Sequence, residues 1–313
     1  MKKRKALLVS GGGSWGAFGG GTLQRLNKDY NTIIGVSTGS LLAALGALKE
    51  WEQLKTSYTT ANETDVFDRC WYKGRPLNKK NEVRKFPIIM TLLLGQKSVF
   101  TTKSLRKRID KYYLKEHHDR LQEKNIDVRV GTLNFAQHPP KMHYFSSMFE
   151  SYEDFKDWCW SSASFPIYGS LIKKSWEDTE GNFHVGQWSD GGLSDLVGID
   201  ELKDGNYGEV DIILHRTKIK DRFEGKSVHN LIENIDRSVR AMRYDIEFDY
   251  FYERIKRLNE QGTKVTVYWL PRKLHANPIH IDREQMLKWW DEGYETALDL
   301  SRIEVFEPIK RKF

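Results

Sequence analysis

The chain has 313 residues, of which 39% are hydrophobic and 30% are charged. This is the composition of a globular protein and not of a disordered one, and the length allows one large α/β domain or two small ones with a core that needs no disulfide. Acidic residues are interspersed with the basic residues that give the net charge of +7, so we expect no nucleic-acid partner.

The predicted elements begin like those of a parallel α/β sheet. A buried strand at Lys5–Ser10 leads through a glycine-rich turn into a helix at Trp15–Asn27. A second strand at Asn31–Val36 runs into a sharp turn at Ser37, and the helical spacing that follows continues through Leu41–Leu54. This succession of strand, turn and helix, repeated once, opens a parallel sheet that is covered by helices.

Further elements follow downstream. A helix is predicted at Ser104–Tyr113, with Thr101 or Thr102 as its N-cap. The other predicted elements are a hairpin of Ile126–Phe135 and Met142–Ser147, helices at Tyr152–Ser162, Ser227–Asn259 and Asp282–Ile303, and strands at Val210–His215 and Thr263–Leu270. The predicted fold is a three-layer α/β/α arrangement with a mainly parallel central sheet and added C-terminal helices.

The apolar runs and the cysteines indicate in which cellular compartment the protein is expected. The opening run Ala6–Val9 is too short for a secretory signal, and Pro87–Leu94 falls short of the ~20 residues of a spanning helix. The run Pro87–Leu94 is typical of a core helix, with a lipid-facing lid as the alternative. Cys70 and Cys159 form no CxxC pair, which favours a reducing compartment. We expect a cytoplasmic protein, and peripheral contact with a membrane stays open.

The segment Gly35-Val36-Ser37-Thr38-Gly39 matches the G-x-S-x-G pattern. In a nucleophile elbow the serine lies on a tight turn between strand and helix, and small flanking residues prevent collisions of Cβ atoms there. The N-terminus of the following helix favours developing negative charge. Because the bare pattern is common by chance, its position between a predicted strand and a predicted helix identifies Ser37 as the candidate nucleophile, with Gly35 and Gly39 in support.

A glycine-rich turn at residues 11–16 (GGGSWG) precedes the elbow. Its backbone N–H groups can converge on one oxygen atom and form an oxyanion hole; the alternative is a turn that only lets strand and helix pack closely. The candidate oxyanion-hole residues are Gly11, Gly12, Gly13 and Ser14, with Gly16 in support. The turn also satisfies G-x-G-x-x-G, but the second strand lacks the acidic residue of a dinucleotide site, so a dinucleotide-binding enzyme is the less favoured reading.

A serine nucleophile needs a base, and none of the 9 histidines lies in a catalytic context. Asp190-Gly191-Gly192 follows an apolar, strand-like run and places a carboxylate on a tight turn that another backbone segment can approach. Because aspartate is common at the first position of any turn, this pattern alone does not identify a base.

Taken together, these three segments resemble the patatin-like phospholipase family. That family's pattern is a G-G-G-x-R/K-G turn, then G-x-S-x-G, then D-G-G/A, and this chain has GGGSWG, GVSTG and DGG in the same order. Residues 98–106 (SVFTTKSLR) and 161–166 (SSASFP) are similar to further segments of the family. The resemblance covers about residues 5–217, and Trp15 stands where the family usually has Arg or Lys.

The resemblance implies a lipid acyl hydrolase, a phospholipase A-type serine esterase that uses a Ser–Asp dyad. Ser37 would carry the covalent acyl group, Asp190 would be its base, and the glycine-rich turn would supply the oxyanion hole. We expect a lipid or phospholipid substrate and neither cofactor nor metal; the oligomeric state stays open. Trp15 weakens the case for headgroup recognition, so a noncatalytic lipid-binding member of the same fold is the alternative. The expected domains are a catalytic core at 5–217 and, at 218–313, a helical extension with one strand, packed on the same domain.

Overall fold

A computed structural model describes residues 3–69, 93–94, 98, 100–166, 169–177, 181–203, 205–218, 250–272, 274 and 280–309. Its strands are β1 Arg4–Val9, β2 Thr32–Val36, β3 Asp68–Arg69, β4 Phe100–Thr101, β5 Asp127–Asn134, β6 Lys141–Ser146, β7 Ile172–Glu177, β8 Phe183–Asp190, β9 Tyr207–Thr217, β10 Lys264–Leu270 and β11 Ile303–Phe306. Its α-helices are α1 Gly16–Leu26, α2 Thr38–Ala47, α3 Trp51–Thr59, α4 Glu63–Val66, α5 Lys103–Tyr112, α6 Lys115–Glu123, α7 Tyr152–Ser162, α8 at 250–260 and α9 Arg283–Glu295.

A nine-stranded sheet has the order β11-β10-β9-β1-β2-β5-β8-β7, with β6 also paired to β5. The strands from β10 to β5 in this order run parallel to one another. Helices cover both faces of the sheet, which is why the β1 sequence ALLV is apolar at consecutive positions. Leu7 and Val9 join a core cluster on one side of the sheet, and Ala6 and Leu8 join a cluster on the other. The predicted three-layer α/β/α fold with a mostly parallel centre is confirmed.

Two strands end against each other beside β5. The parallel strand β2 pairs with the first part of β5, up to Val36 opposite Gly131. The antiparallel strand β8 pairs with the last part, from Asp190 opposite Thr132. Both lie on the edge of β5 that faces away from β6, because β6 pairs with β5 alongside each of them. The carboxyl ends of β2 and β8 therefore meet beside neighbouring residues of β5.

The glycine-rich helix α1 packs tightly against α9. A Cβ atom added at Gly21 would lie 1.9 Å from the Trp290 carbonyl oxygen, and one at Gly293 would lie 2.1 Å from the Phe18 carbonyl oxygen. Glycine costs about 1 kcal/mol relative to alanine inside a helix, but here it lets the two backbones touch. The C-terminal region also adds the strands β10 and β11 to the sheet, where the sequence indicated one strand.

Several predicted elements differ from the structure. The helical spacing after Ser37 is divided into α2 and α3, and Lys49 between them has a φ of 61°. The predicted helix Asp282–Ile303 is wrong beyond Glu295, where the chain turns and returns as β11. Thr102 is the N-cap residue of α5, in agreement with one of the two predicted positions, but its side chain makes no capping hydrogen bond, and Asp68 accepts the Ser104 N–H at 2.7 Å instead.

Two predictions lie largely outside the described residues. Of the run Pro87–Leu94 only Leu93 and Leu94 are described, and both are exposed; of the predicted helix Ser227–Asn259 only the part from residue 250 is described, and it is helical. Among the described residues, no helix is both long enough and apolar enough to cross a membrane.

Candidate active site

Ser37 lies at the junction of β2 and α2 in a strained backbone conformation, with φ 56° and ψ −125°. Left-handed conformations are uncommon for residues with a side chain and persist where the surroundings impose them. The Ser37 carbonyl accepts hydrogen bonds from the backbone N–H and the hydroxyl of Ser40, at 3.0 and 2.6 Å. The Ser37 N–H donates to the Ser162 hydroxyl at 2.9 Å. These hydrogen bonds therefore fix the peptide planes before and after Ser37.

The glycines of the elbow allow close backbone approach. A Cβ atom at Gly35 would lie 2.4 Å from the Gly39 carbonyl oxygen, and one at Gly39 would lie 2.0 Å from the Val9 carbonyl oxygen. Real Cβ contacts are never so short, so α2 can only leave β2 and pass β1 at this angle when both positions lack a side chain.

Asp190, the last residue of β8, meets the elbow. The Ser37 hydroxyl donates to Asp190 Oδ2 at 2.6 Å, although the two residues are 153 positions apart. Ser37 is 9% and Asp190 3% exposed. The other carboxylate oxygen, Oδ1, accepts the Gly192 N–H at 2.7 Å, and a Cβ at Gly191 would lie 2.5 Å from the Gly131 carbonyl oxygen. A buried hydroxyl on a fixed carboxylate can pass its proton along a preformed hydrogen bond.

The glycine-rich turn lies against the same serine. A Cβ at Gly11 would be 2.9 Å from Ser37 Cβ, and one at Gly16 would be 2.2 Å from the Thr38 hydroxyl oxygen. The Gly11 N–H donates to the Leu196 carbonyl at 3.0 Å, so it is not available to an oxyanion, contrary to the prediction for this residue.

Three N–H groups of the turn remain as candidate oxyanion donors. Within the described part of the chain, the N–H groups of Gly12, Gly13 and Ser14 have no hydrogen-bond acceptor, and Gly13 takes a φ of 56° that glycine permits. The Ser14 hydroxyl is also buried without a hydrogen-bond partner among the described residues. The turn therefore has unused donors directly after Gly11, the residue whose added Cβ would meet Ser37.

His215, at the carboxyl end of β9, supports the turn and was not anticipated. Its Nδ1 lies 2.8 Å from the Ser10 carbonyl oxygen, so Nδ1 carries the proton and donates it. Its Nε2 has no partner among the described residues and faces Gly19 of α1, where a Cβ would be only 2.0 Å away. Burial lowers the pKa of His215 to about 4. The ring is a neutral, fully enclosed support beneath Gly12.

Other predicted or conspicuous groups are engaged elsewhere. His117 and His118 are buried in α6, where they bond the Leu114 N–H and the Tyr113 hydroxyl. Trp15, in place of the family's cation, is half-buried against the cluster that contains Phe18. In the described residues, no group of three or more His, Cys, Asp or Glu side chains is arranged to hold a metal ion.

Sequence reasoning named most of the groups that meet at this site. The structure brings together Ser37, Asp190, Gly11, Gly12, Gly13, Ser14, Gly16, Gly35, Gly39, Gly191 and Gly192. It adds Ser40, Ser162 and His215, which the patterns missed. Only Ser162 had a signal in the sequence, because it lies in the segment 161–166 that is similar to a family motif.

Comparisons with known proteins agree with the motifs. A family model described as patatin-like phospholipase matches residues 7–203. Among solved structures, the crystal structure of VipD from Legionella pneumophila is similar over 97% of this chain and 68% of that chain, at 14% sequence identity and a TM-score of 0.44. A search of curated proteins found no match.

Proposed function

Because the chain belongs to the patatin-like phospholipase family and is in general terms a lipid ester hydrolase, we propose that it works as a serine acyl hydrolase with a Ser37–Asp190 dyad. The observation that carries the proposal is the 2.6 Å hydrogen bond from the Ser37 hydroxyl to Asp190 Oδ2. The nucleophile and its base thus lie within direct proton-transfer distance.

The first half of the reaction transfers the acyl group to the enzyme. Ser37 Oγ adds to the ester carbonyl carbon while its proton passes to Asp190 Oδ2, and the carbonyl oxygen becomes an oxyanion. When the bond to the alcohol breaks, the proton on Asp190 goes to the departing oxygen. The products of this half are the free alcohol and an ester on Ser37.

The second half releases the acid. Water adds to the acyl carbon as Asp190 takes its proton, and collapse of the second tetrahedral intermediate returns that proton to Ser37 Oγ. The Gly192 N–H keeps the carboxylate oriented through both halves, since it bonds the oxygen that does not face the serine.

The oxyanion of both intermediates would be stabilised by backbone donors of the glycine-rich turn. The N–H groups of Gly12, Gly13 and Ser14 support this role, because they have no acceptor among the described residues and directly follow Gly11, whose added Cβ would meet Ser37. Loss of one such donor typically lowers the rate about 10²- to 10³-fold.

A fluorophosphonate probe tests the nucleophile. We expect covalent labelling of the wild type and none of Ser37→Ala. Ser57→Ala is the control, because the Ser57 hydroxyl only bonds the Leu54 carbonyl within α3. An unlabelled wild type, or labelling that persists in Ser37→Ala, contradicts the proposal. Vesicle binding without ester turnover would instead identify the noncatalytic lipid-binding alternative.

The base is tested by Asp190→Asn, which preserves the side-chain shape and the hydrogen bond from the Gly192 N–H. We expect a loss of at least about 10² in kcat on a panel of lipid esters read by mass spectrometry, the scale of a missing general base. Turnover close to that of the wild type would require another base.

A further inference from the structure

We propose that Ser162, the last residue of α7, is a positioning residue that holds Ser37 in its reactive backbone conformation. This inference rests on the proposed role of Ser37 as the nucleophile. Ser162 does not face the reacting atoms; it acts through the backbone of the serine that does.

The place of Ser162 follows from the break in strand pairing beside β5. Val36 of β2 lies opposite Gly131, and Asp190 of β8 lies opposite Thr132, so neither strand continues across the junction. The Ser162 hydroxyl occupies that junction. It accepts the Ser37 N–H at 2.9 Å and donates to the Gly131 carbonyl at 2.6 Å. The Ser162 side chain thus links Ser37, just after β2, to Gly131 of β5, in the place where the next backbone hydrogen bond between the two strands would lie.

This bridge acts on the dihedral angles that define the elbow. The direction of the Ser37 N–H fixes the plane of the peptide before Ser37, and the bonds from Ser40 to the Ser37 carbonyl fix the plane of the peptide after it. Two fixed planes set φ and ψ of the residue between them. Since φ of 56° is unfavourable for serine, it is retained only while both planes are held.

The buried surroundings leave no solvent to replace the bridge. Ser162 is 0% exposed, and Ser37 is 9% exposed. A buried N–H and a buried carbonyl that lose their shared hydroxyl stay unsatisfied unless the backbone moves. The relaxation open to the elbow is rotation towards an ordinary conformation, which would move the Ser37 hydroxyl away from Asp190.

Ser161 provides a matched control from the same helical turn. It is also 0% exposed, and its hydroxyl bonds the Thr132 hydroxyl at 2.9 Å. Thr132 itself donates to the Ser189 carbonyl at 2.8 Å, a bond that does not need Ser161. Ser161→Ala therefore removes a buried hydroxyl of the same kind without touching Ser37.

The kinetic test compares Ser162→Ala with Ser161→Ala in the full chain. We expect fluorophosphonate labelling of Ser162→Ala to be about 10- to 100-fold slower than that of Ser161→Ala, because a displacement of about 1 Å at the reacting atoms costs on the order of 10² in rate. On a short-chain p-nitrophenyl ester, kcat should fall by the same factor with KM within about twofold. If Ser162 had a purely structural role, both variants would have a lower melting temperature, and their labelling rates and kcat values would be equal.

A second measurement does not depend on catalysis. Hydrogen exchange of the Ser37 amide, resolved by mass spectrometry, should be at least about 10-fold faster in Ser162→Ala than in Ser161→Ala, because only the first removes its acceptor. Equal labelling rates in the two variants, or equal exchange of the Ser37 amide, overturn the role of Ser162. An unlabelled wild type overturns the role of Ser37 instead, so the two failures are distinct.

Discussion

Acidification probes the neutral histidine beneath the glycine-rich turn. The His215 pKa falls from 6.5 in an unfolded chain to about 4, because burial disfavours the charged ring. Its Nε2 faces Gly19, and if Nε2 were protonated, its N–H would have no hydrogen-bond acceptor among the described residues. Below pH 6.5 the unfolded chain binds a proton that the folded chain does not, so falling pH favours unfolding until about pH 4. Linkage over this window predicts a loss of about 2 kcal/mol between pH 7 and pH 5 from this one group.

The measurement is urea unfolding at both pH values, followed by tryptophan fluorescence, for the wild type and His215→Asn. We expect the free energy of unfolding of the wild type to fall by about 2 kcal/mol more than that of the variant. Ser10→Ala is the control, since it alters the same contact but keeps the titrating ring, and it should retain the pH dependence of the wild type. If the wild type and His215→Asn lose the same free energy on acidification, the buried neutral ring is refuted.

Two further substitutions test the close packing of the elbow and a buried charge in the sheet. Gly39→Ala places a Cβ 2.0 Å from the Val9 carbonyl oxygen, so it should lower the free energy of thermal unfolding by about 1–3 kcal/mol and should also slow probe labelling. Gly46→Ala in the same helix meets only the side chains of Leu23 and Leu54 and should be better tolerated; equal losses in the two variants would contradict this. Lys28→Met removes the ammonium group that lies 2.6 Å from the fully buried Asp211 carboxylate, so the free energy of unfolding in urea should fall by about 3 kcal/mol. An unchanged urea midpoint would contradict this prediction.

Local patterns predicted the parts of the site that depend on close backbone approach. Glycine at positions 35 and 39 is required because any Cβ there would collide with backbone, and such a requirement leaves a short motif in the sequence. The strand before Ser37 and the helix after it were predicted for the same reason, since buried runs and helical spacing are local properties. The resemblance, and not the local pattern, singled out Asp190 among many aspartates in turns.

Other features depend on contacts between distant segments and left no local pattern. The helix predicted at Asp282–Ile303 ends early because Ile303 pairs with Tyr268 in an antiparallel strand, and this tertiary pairing overrides helical spacing. The N–H of Gly11 was counted as an oxyanion donor, but its acceptor, the Leu196 carbonyl, lies in a loop that comes close only in the folded chain. His215 ends an apolar strand like many enclosed histidines, and nothing near it in sequence reveals the glycine-rich turn above it.

The end-to-end arrangement of β2 and β8 places the two members of the proposed dyad on strands that pair with different parts of β5. Ser37 belongs to the parallel centre of the sheet, whereas Asp190 comes with the β7–β8 hairpin, which pairs with the last three residues of β5 and buries Trp188 in the core cluster that contains Leu7. Detachment of that hairpin would separate Asp190 from Ser37 and would at the same time uncover the Trp188 side chain. With the proposed dyad, heat or denaturant should therefore end hydrolysis together with the loss of this part of the core.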